Sequence, residues 1–165
     1  MKFSRLAAPI ICSVLIALAG TAAFAKPTVA LKLIGVILEK DANGKPIAVP
    51  IESAEPKPGE AIRYTIVASN TSGEIAKKFS SAGRIPNGTQ YQPGSSTIPA
   101  PGHVEFSIDD GKTWSEKPLA RVKQADGTTA LRPADPASYT NIRWISGKDL
   151  VAHGSTSYSY VVLVK

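Results

Sequence analysis

Two adjacent carboxylates, Asp109 and Asp110, stand in the run Ser107-Ile108-Asp109-Asp110-Gly111-Lys112-Thr113-Trp114. Carboxylates so placed can accept the backbone N–H groups of a tight turn, or they can lend oxygens to a calcium ion, which takes roughly six to eight. No Asp-x-Asp-x-Asp-Gly series accompanies them, so Asp109 and Asp110 are candidate metal ligands for only part of such a shell. The hairpin reading uses the whole run. Asp109 accepts from the turn, Gly111 takes the left-handed conformation and Trp114 packs beneath, with Ser107 and Thr113 completing the pattern.

Other chemistry finds less to work with. The two histidines, His103 and His153, form no His-x-His or His-Glu-x-x-His pairing of the kind that holds zinc. No serine sits in Gly-x-Ser-x-Gly, and no glycine-rich loop suits a phosphate or a dinucleotide. The only cysteine, Cys12, lies in the N-terminal apolar stretch, so the remainder offers neither a thiol nucleophile nor a disulfide. This pattern predicts a protein that is not an enzyme and needs no cofactor. Trp114 and Trp144 are candidate ligand-contact aromatics for stacking on a sugar ring, although Trp144, in an apolar strand, also reads as a core anchor. Asn70-Thr71-Ser72 and Asn87-Gly88-Thr89 match glycosylation acceptors and are read as turns.

The N-terminus reads as an export signal. Lys2 and Arg5 precede an apolar run at 10–18, and Ala23-Phe24-Ala25 offers a small-x-small cleavage site. The run is shorter than the roughly 20 residues that span a bilayer, and Pro9 interrupts its approach. Residues 1–25 are therefore expected to be a signal peptide and 26–165 a single domain, with no transmembrane segment after cleavage. The expected location is periplasmic, secreted or cell-surface. Removing Lys2 and Arg5 leaves 17 basic against 13 acidic side chains, a net charge of +4. Those basic residues are scattered, without the clusters that follow a nucleic-acid backbone, so nucleic acid is excluded as a partner.

The elements that must position these residues are all of one kind. Short extended segments alternate with Pro, Gly, Asn and Asp, and no stretch keeps a helical period. Residues 29–38 and 47–51 flank Asp41-Ala42-Asn43-Gly44 and predict a hairpin. Ile62, Tyr64, Ile66 and Ala68 alternate with Arg63, Thr65, Val67 and Ser69, which predicts a strand with the first set facing the core. Residues 75–80, with Lys77-Lys78, predict an exposed edge. Strands are also expected at Tyr91, 104–108, 113–115, 119–123, 141–146 and 155–164, the last with Tyr158, Tyr160, Val162 and Val164 on one face. The fold class predicted is all-β, a sandwich of about eight or nine short strands.

Two resemblances follow from these residues. Lys57-Pro58-Gly59-Glu60-Ala61-Ile62-Arg63-Tyr64-Thr65-Ile66 through Asn70, then Ile85-Pro86-Asn87-Gly88-Thr89-Gln90-Tyr91 and Gly94-Ser95, resemble the conserved-repeat domain DUF11 of bacterial surface and secreted proteins. Ile142-Arg143-Trp144, Leu150, Gly154 and Tyr160-Val161-Val162-Leu163-Val164 extend the resemblance to the C-terminus. It implies an immunoglobulin-like β-sandwich and a part in envelope or surface architecture, here as a single copy, with no catalytic residues to carry over. The run from Ser107 to Trp114 resembles the Asp-box hairpin of sialidases and other β-propellers, which itself is structural there. The function expected is an exported, non-enzymatic interaction or structural module whose partner is an envelope or surface protein or a polysaccharide. The alternatives are a carbohydrate-binding module using its aromatics, and an assembly subunit that adds a strand through residues 26–40.

Overall fold

The computed structural model describes residues 26–165, so the expected signal at 1–25 lies outside the described residues. The described residues form ten strands: β1 (Val29–Lys40), β2 (Pro46–Pro50), β3 (Ala61–Asn70), β4 (Ser80–Arg84), β5 (Thr89–Tyr91), β6 (Gly102–Ser107), β7 (Leu119–Lys123), β8 (Thr129–Pro133), β9 (Asn141–Ser146) and β10 (Ser155–Val164). Two single 3-10 turns, Ile51–Ser53 and Pro136–Ser138, interrupt them. A five-stranded sheet runs β2-β1-β3-β10-β5, and a three-stranded sheet runs β4-β9-β6. β7 and β8 pair only with each other. The architecture is an all-β sandwich, as the strand rhythm predicts. Among the described residues no helix is long and apolar enough to cross a membrane.

The predicted hairpin at the start forms, with Val36 to Lys40 of β1 pairing with β2. Its turn is held by Asp41, whose Oδ1 accepts the N–H of Asn43 and of Lys45, each at 2.9 Å. The alternation in β3 also holds: Ile62, Ile66 and Ala68 are buried and Arg63 is exposed. Three expectations are corrected. β8 has too few β-branched residues to announce itself and is recruited by the Gln124-to-Thr128 turn, where Gln124 N–H donates to Thr128 O at 2.8 Å. Residues 113–115 give no strand, only a bridge between Phe106 and Ser115. The edge expected at 75–80 lies one step later, at Ser80–Arg84, because Lys78 adopts a positive φ of 50° and breaks the extended run before it.

The core is aromatic. Trp144 of β9 stacks on Tyr158 and packs tilted on Tyr160 of β10, with ring centroids 5.6 and 5.7 Å apart. Tyr91 of β5 meets Phe106 of β6 at 4.9 Å. At Gly83 in β4 an added Cβ would come within 3.3 Å of Ile66 in β3. These contacts register the sheets strand over strand: β6 over β5, β9 over β10 and β4 over β3.

Polar groups close the ends of the sandwich. Asn70, 2% exposed, ends β3, and its side-chain amide donates to the carbonyls of Glu74, Leu150 and Val151 at 2.6, 3.2 and 3.1 Å. Its Oδ1 accepts from the Ser72 N–H at 3.1 Å and from the Ser72 hydroxyl at 2.7 Å. One side chain thus joins the loop after β3 to the loop before β10. An alanine there would remove all five of these hydrogen bonds, each worth about 0.5–1.5 kcal/mol net. Asn70→Ala should therefore lower the unfolding free energy by about 2–4 kcal/mol in urea titration, while Asn87→Ala, at an exposed turn, should change it by less than about 0.5 kcal/mol.

Candidate functional site

The run that opened the sequence argument folds as a polar knot. Ser107 ends β6 with its side chain buried, and its Oγ donates to Asp109 Oδ1 at 2.7 Å while accepting the N–H of Gly111 at 2.9 Å. The same carboxylate oxygen accepts the N–H groups of Lys112 and Thr113 at 3.1 and 2.9 Å, and Oδ2 accepts the Thr113 hydroxyl at 2.6 Å. Gly111 has φ +83°, and its Cα side faces the Trp114 ring so closely that a Cβ would sit 3.3 Å from it.

Asp109 is thus spent on its own turn. Thr113, through its hydroxyl and its N–H, and then Ser107 hold the carboxyl down to about 2. Asp110 turns the other way, at φ 58°, and reaches Arg84 at 3.6 Å across an open surface. Among the described residues no group of three or more His, Cys, Asp or Glu converges on a point that could hold a metal ion.

The two tryptophans do not form a common platform. Trp144, read from sequence as a possible ligand contact or a core anchor, is fully buried, because its ring faces the larger sheet and packs there on Tyr158 and Tyr160. Trp114 is half-buried, and the Arg143 guanidinium lies 4.5 Å over its ring. Arg143 is itself held by Glu105, with Nε donating to Oε2 at 2.9 Å. His103 stands 3.6 Å from Glu105 on β6, whereas His153 lies in the loop before β10, so the histidines contribute to no common site.

What the fold does build is an apolar groove of about 400 Å³. Leu31 and Leu33 of β1 form one wall, Gly83 and its neighbours in β4 the other, and Tyr64, Ile66 and Tyr160 the floor. Leu31 lies opposite Ala68 and Leu33 opposite Ile66 in the β1–β3 register. Directly opposed residues share a face of the sheet. Both leucines therefore point to the inner face with the buried Ile66 and Ala68, yet they are 59% and 61% exposed. The cause is the strand count. The smaller sheet stops at β4, which lies over β3; Val29 at the start of β1 still packs against Ala76 and Leu150, but no strand lies over Leu31 and Leu33 among the described residues.

Both walls also carry free backbone groups. β1 pairs with β3 along most of its length but with β2 only from Val36, so within the 26–40 segment read as a candidate for strand addition, 36–40 are already paired on both sides while 29–35 lie at the sheet edge. In β4, Ile85 N–H donates to Thr140 O at 2.9 Å and Ser146 N–H to Phe79 O at 3.1 Å. The antiparallel alternation then turns Ser81 and Gly83 toward β9 and leaves the N–H and C=O of Ser80 and Ala82 pointing outward. The Arg84 carbonyl is taken by the Tyr160 hydroxyl at 2.6 Å. Burial, with a smaller push from Tyr64, raises that hydroxyl above the ordinary phenol range, so it stays a donor.

The sequence reading missed this groove; Leu31 and Leu33, two residues apart in an extended run, are the signal that could have found it. No family model matches the chain, and no curated protein or solved structure matches it either.

The depressed Asp109 fixes a pH dependence for the hairpin. The carboxylate favours the folded turn above the unfolded-state value of about 3.9, and that contribution is lost as pH falls toward about 2. Trp114 fluorescence should report loosening of the hairpin between about pH 4 and 2, and Asp109→Asn should remove that transition.

Proposed function

We propose that this chain is a non-enzymatic contact module of the cell envelope, exported by its N-terminal signal, that accepts an extended segment of another protein as an added strand. The observation that carries this reading is the pair of inner-facing leucines, Leu31 and Leu33, left about three-fifths exposed beside the outward N–H and C=O groups of Ser80 and Ala82. A strand laid against β4 would widen the smaller sheet by one and cover β1. Main-chain hydrogen bonds then supply affinity, and alternate side chains entering the groove supply selectivity.

The magnitudes are adequate for such contact. Burying the exposed part of each leucine yields about 1–2 kcal/mol, and each net hydrogen bond along β4 about 0.5–1.5 kcal/mol. An unpaired edge beside an apolar surface is otherwise an aggregation hazard, and proteins commonly blunt it with charge or cover. The resemblance to a module of bacterial surface proteins supports the same reading. A glycan platform has less support, since Trp144 is in the core and Arg143 lies over Trp114.

Amide hydrogen exchange tests the reading. A synthetic peptide of alternating valine and threonine should slow exchange at Ala82. Leu31→Glu with Leu33→Glu, at positions already exposed, should weaken that peptide at least about tenfold while the thermal midpoint is kept. Unchanged binding to the double variant, or protection confined to other strands, would reject strand addition at this groove.

A further inference from the structure

The β7–β8 ribbon stands off the sandwich. Its strands pair only with each other, and eight of their ten residues are exposed. It is tied down at its base, where Ala134 N–H donates to Pro118 O at 2.8 Å and both residues are buried. A lone two-stranded ribbon is marginal in water, yet this one leaves Leu119, Val122 and Leu131 exposed at 53, 41 and 62%. We infer that the ribbon is an arm that docks on an anionic lipid bilayer, lying flat on the face that carries Leu119, Arg121, Lys123 and Leu131. This site is separate from the strand-acceptor groove.

The register assembles that face. Leu119 lies opposite Pro133, Arg121 opposite Leu131 and Lys123 opposite Thr129, and directly opposed residues share a side of the ribbon. Leu119 and Leu131 are diagonal neighbours, about 7–8 Å apart, so with Pro133 they make one apolar patch. At the base the face continues into a cleft that Leu119 lines together with Ile108 and Trp114.

The two strands hold three cations, Arg121, Lys123 and Arg132, and no Asp or Glu. All three are exposed and none is paired, since the ion pairs among the described residues are Arg84–Asp110, His103–Glu105 and Arg143–Glu105. The carboxylates of this region sit beyond the strands. Glu116 lies at the base next to Lys117 in the chain, and Asp135 there accepts the Ala137 N–H at 2.8 Å. Asp126 is in the tip, where it accepts the Thr128 N–H and hydroxyl at 2.9 and 2.6 Å. A negative tip is repelled by an anionic surface, so the flat face is the one that meets it.

The side-chain types select a bilayer over other anionic partners. Bases and sugar rings are held by stacking on aromatic faces, and no aromatic residue occurs between Pro118 and Ala134. A bilayer interface instead takes up hydrocarbon beside cations that reach phosphate, and the long stems of Arg121 and Lys123 serve both needs. Each basic residue near an anionic surface is worth about fivefold in affinity, so three supply on the order of a hundredfold. Two copies laid face to face would bring four unpaired cations together with no carboxylate on that face to offset them.

Co-sedimentation with vesicles tests the inference. Residues 26–165, which contain all ten strands, are used so that the apolar run at 10–18 cannot itself enter the bilayer. Vesicles of phosphatidylcholine with about one-third phosphatidylglycerol should bind at least about tenfold tighter than pure phosphatidylcholine, and added salt should narrow the gap. Arg121→Gln with Lys123→Gln should weaken binding roughly twentyfold, and Leu119→Ser with Leu131→Ser at least about tenfold, with the thermal midpoint kept because all four positions are exposed. Lys45→Gln with Lys77→Gln, which removes two exposed cations elsewhere, should change it by less than about twofold. Equal binding to both vesicles, or an equal loss in the Lys45 and Lys77 variant, would overturn the assignment. Vesicle binding that ignores the leucine changes, with dextran sulfate held equally well by both forms, would assign the arm to a soluble polyanion and reject the bilayer. Concentration-dependent dimerisation lost in the leucine variant would assign the face to a second copy.

Discussion

The stacking of Trp144 against Tyr158 and Tyr160 fixes how the two sheets lie on each other, and the rest of the molecule follows from that alignment. Large rings crossing the space between sheets set the lateral register more firmly than aliphatic side chains, because an offset stack tolerates little sliding before contact is lost. With β9 held over β10, β4 falls over β3 and β6 over β5. A five-stranded sheet faced by three strands must leave some inner surface bare, and the aromatic register decides where. Gly83 allows β4 to settle close on Ile66, so the deficit falls on the β1 side.

The polar interactions act on a different scale. Asn70 and Asp109 each satisfy several backbone groups from one side chain, at opposite loops, and neither side chain is free to bind anything else. Such residues mimic a ligand site in sequence because the atoms that hold a turn are those that would hold an ion: carboxylate, hydroxyl and amide oxygens. Their hydrogen bonds are internal and complete. That separates the turn residues from the groove, where the outward groups of Ser80 and Ala82 have no partner in the described chain.

Much of the local structure was legible. The alternation through Ile62, Tyr64, Ile66 and Ala68 identifies a strand and its inner face, and Tyr64 departs from it only by sitting at the rim, half-buried against Gly35 and Tyr160. Asn70 at a strand end and Gly111 in a hairpin were legible for the same reason, that a short segment's geometry restricts which residues it accepts. Strand β8 was hidden, since Thr129-Ala130-Leu131-Arg132-Pro133 lacks a buried face and pairs only with the exposed β7. The role of Trp144 was ambiguous, since a strand tells which side a ring is on but not what stands across from it.

By itself, the sequence determined that this chain builds short extended strands, that the run from Ser107 to Trp114 suits a hairpin and that Ile62, Ile66 and Ala68 share one side of their strand. Those properties are local: a period of two, a residue able to take positive φ and an oxygen at hydrogen-bond reach of its neighbours. Only the tertiary structure decided that the side of β1 shared by Leu31 and Leu33 is uncovered, that β4 rather than the preceding lysine segment forms the edge, and that the two lie across one groove. Exposure depends on the number of strands in the opposite sheet and on their lateral register, and both are set by contacts between residues as distant as Gly83 and Tyr160.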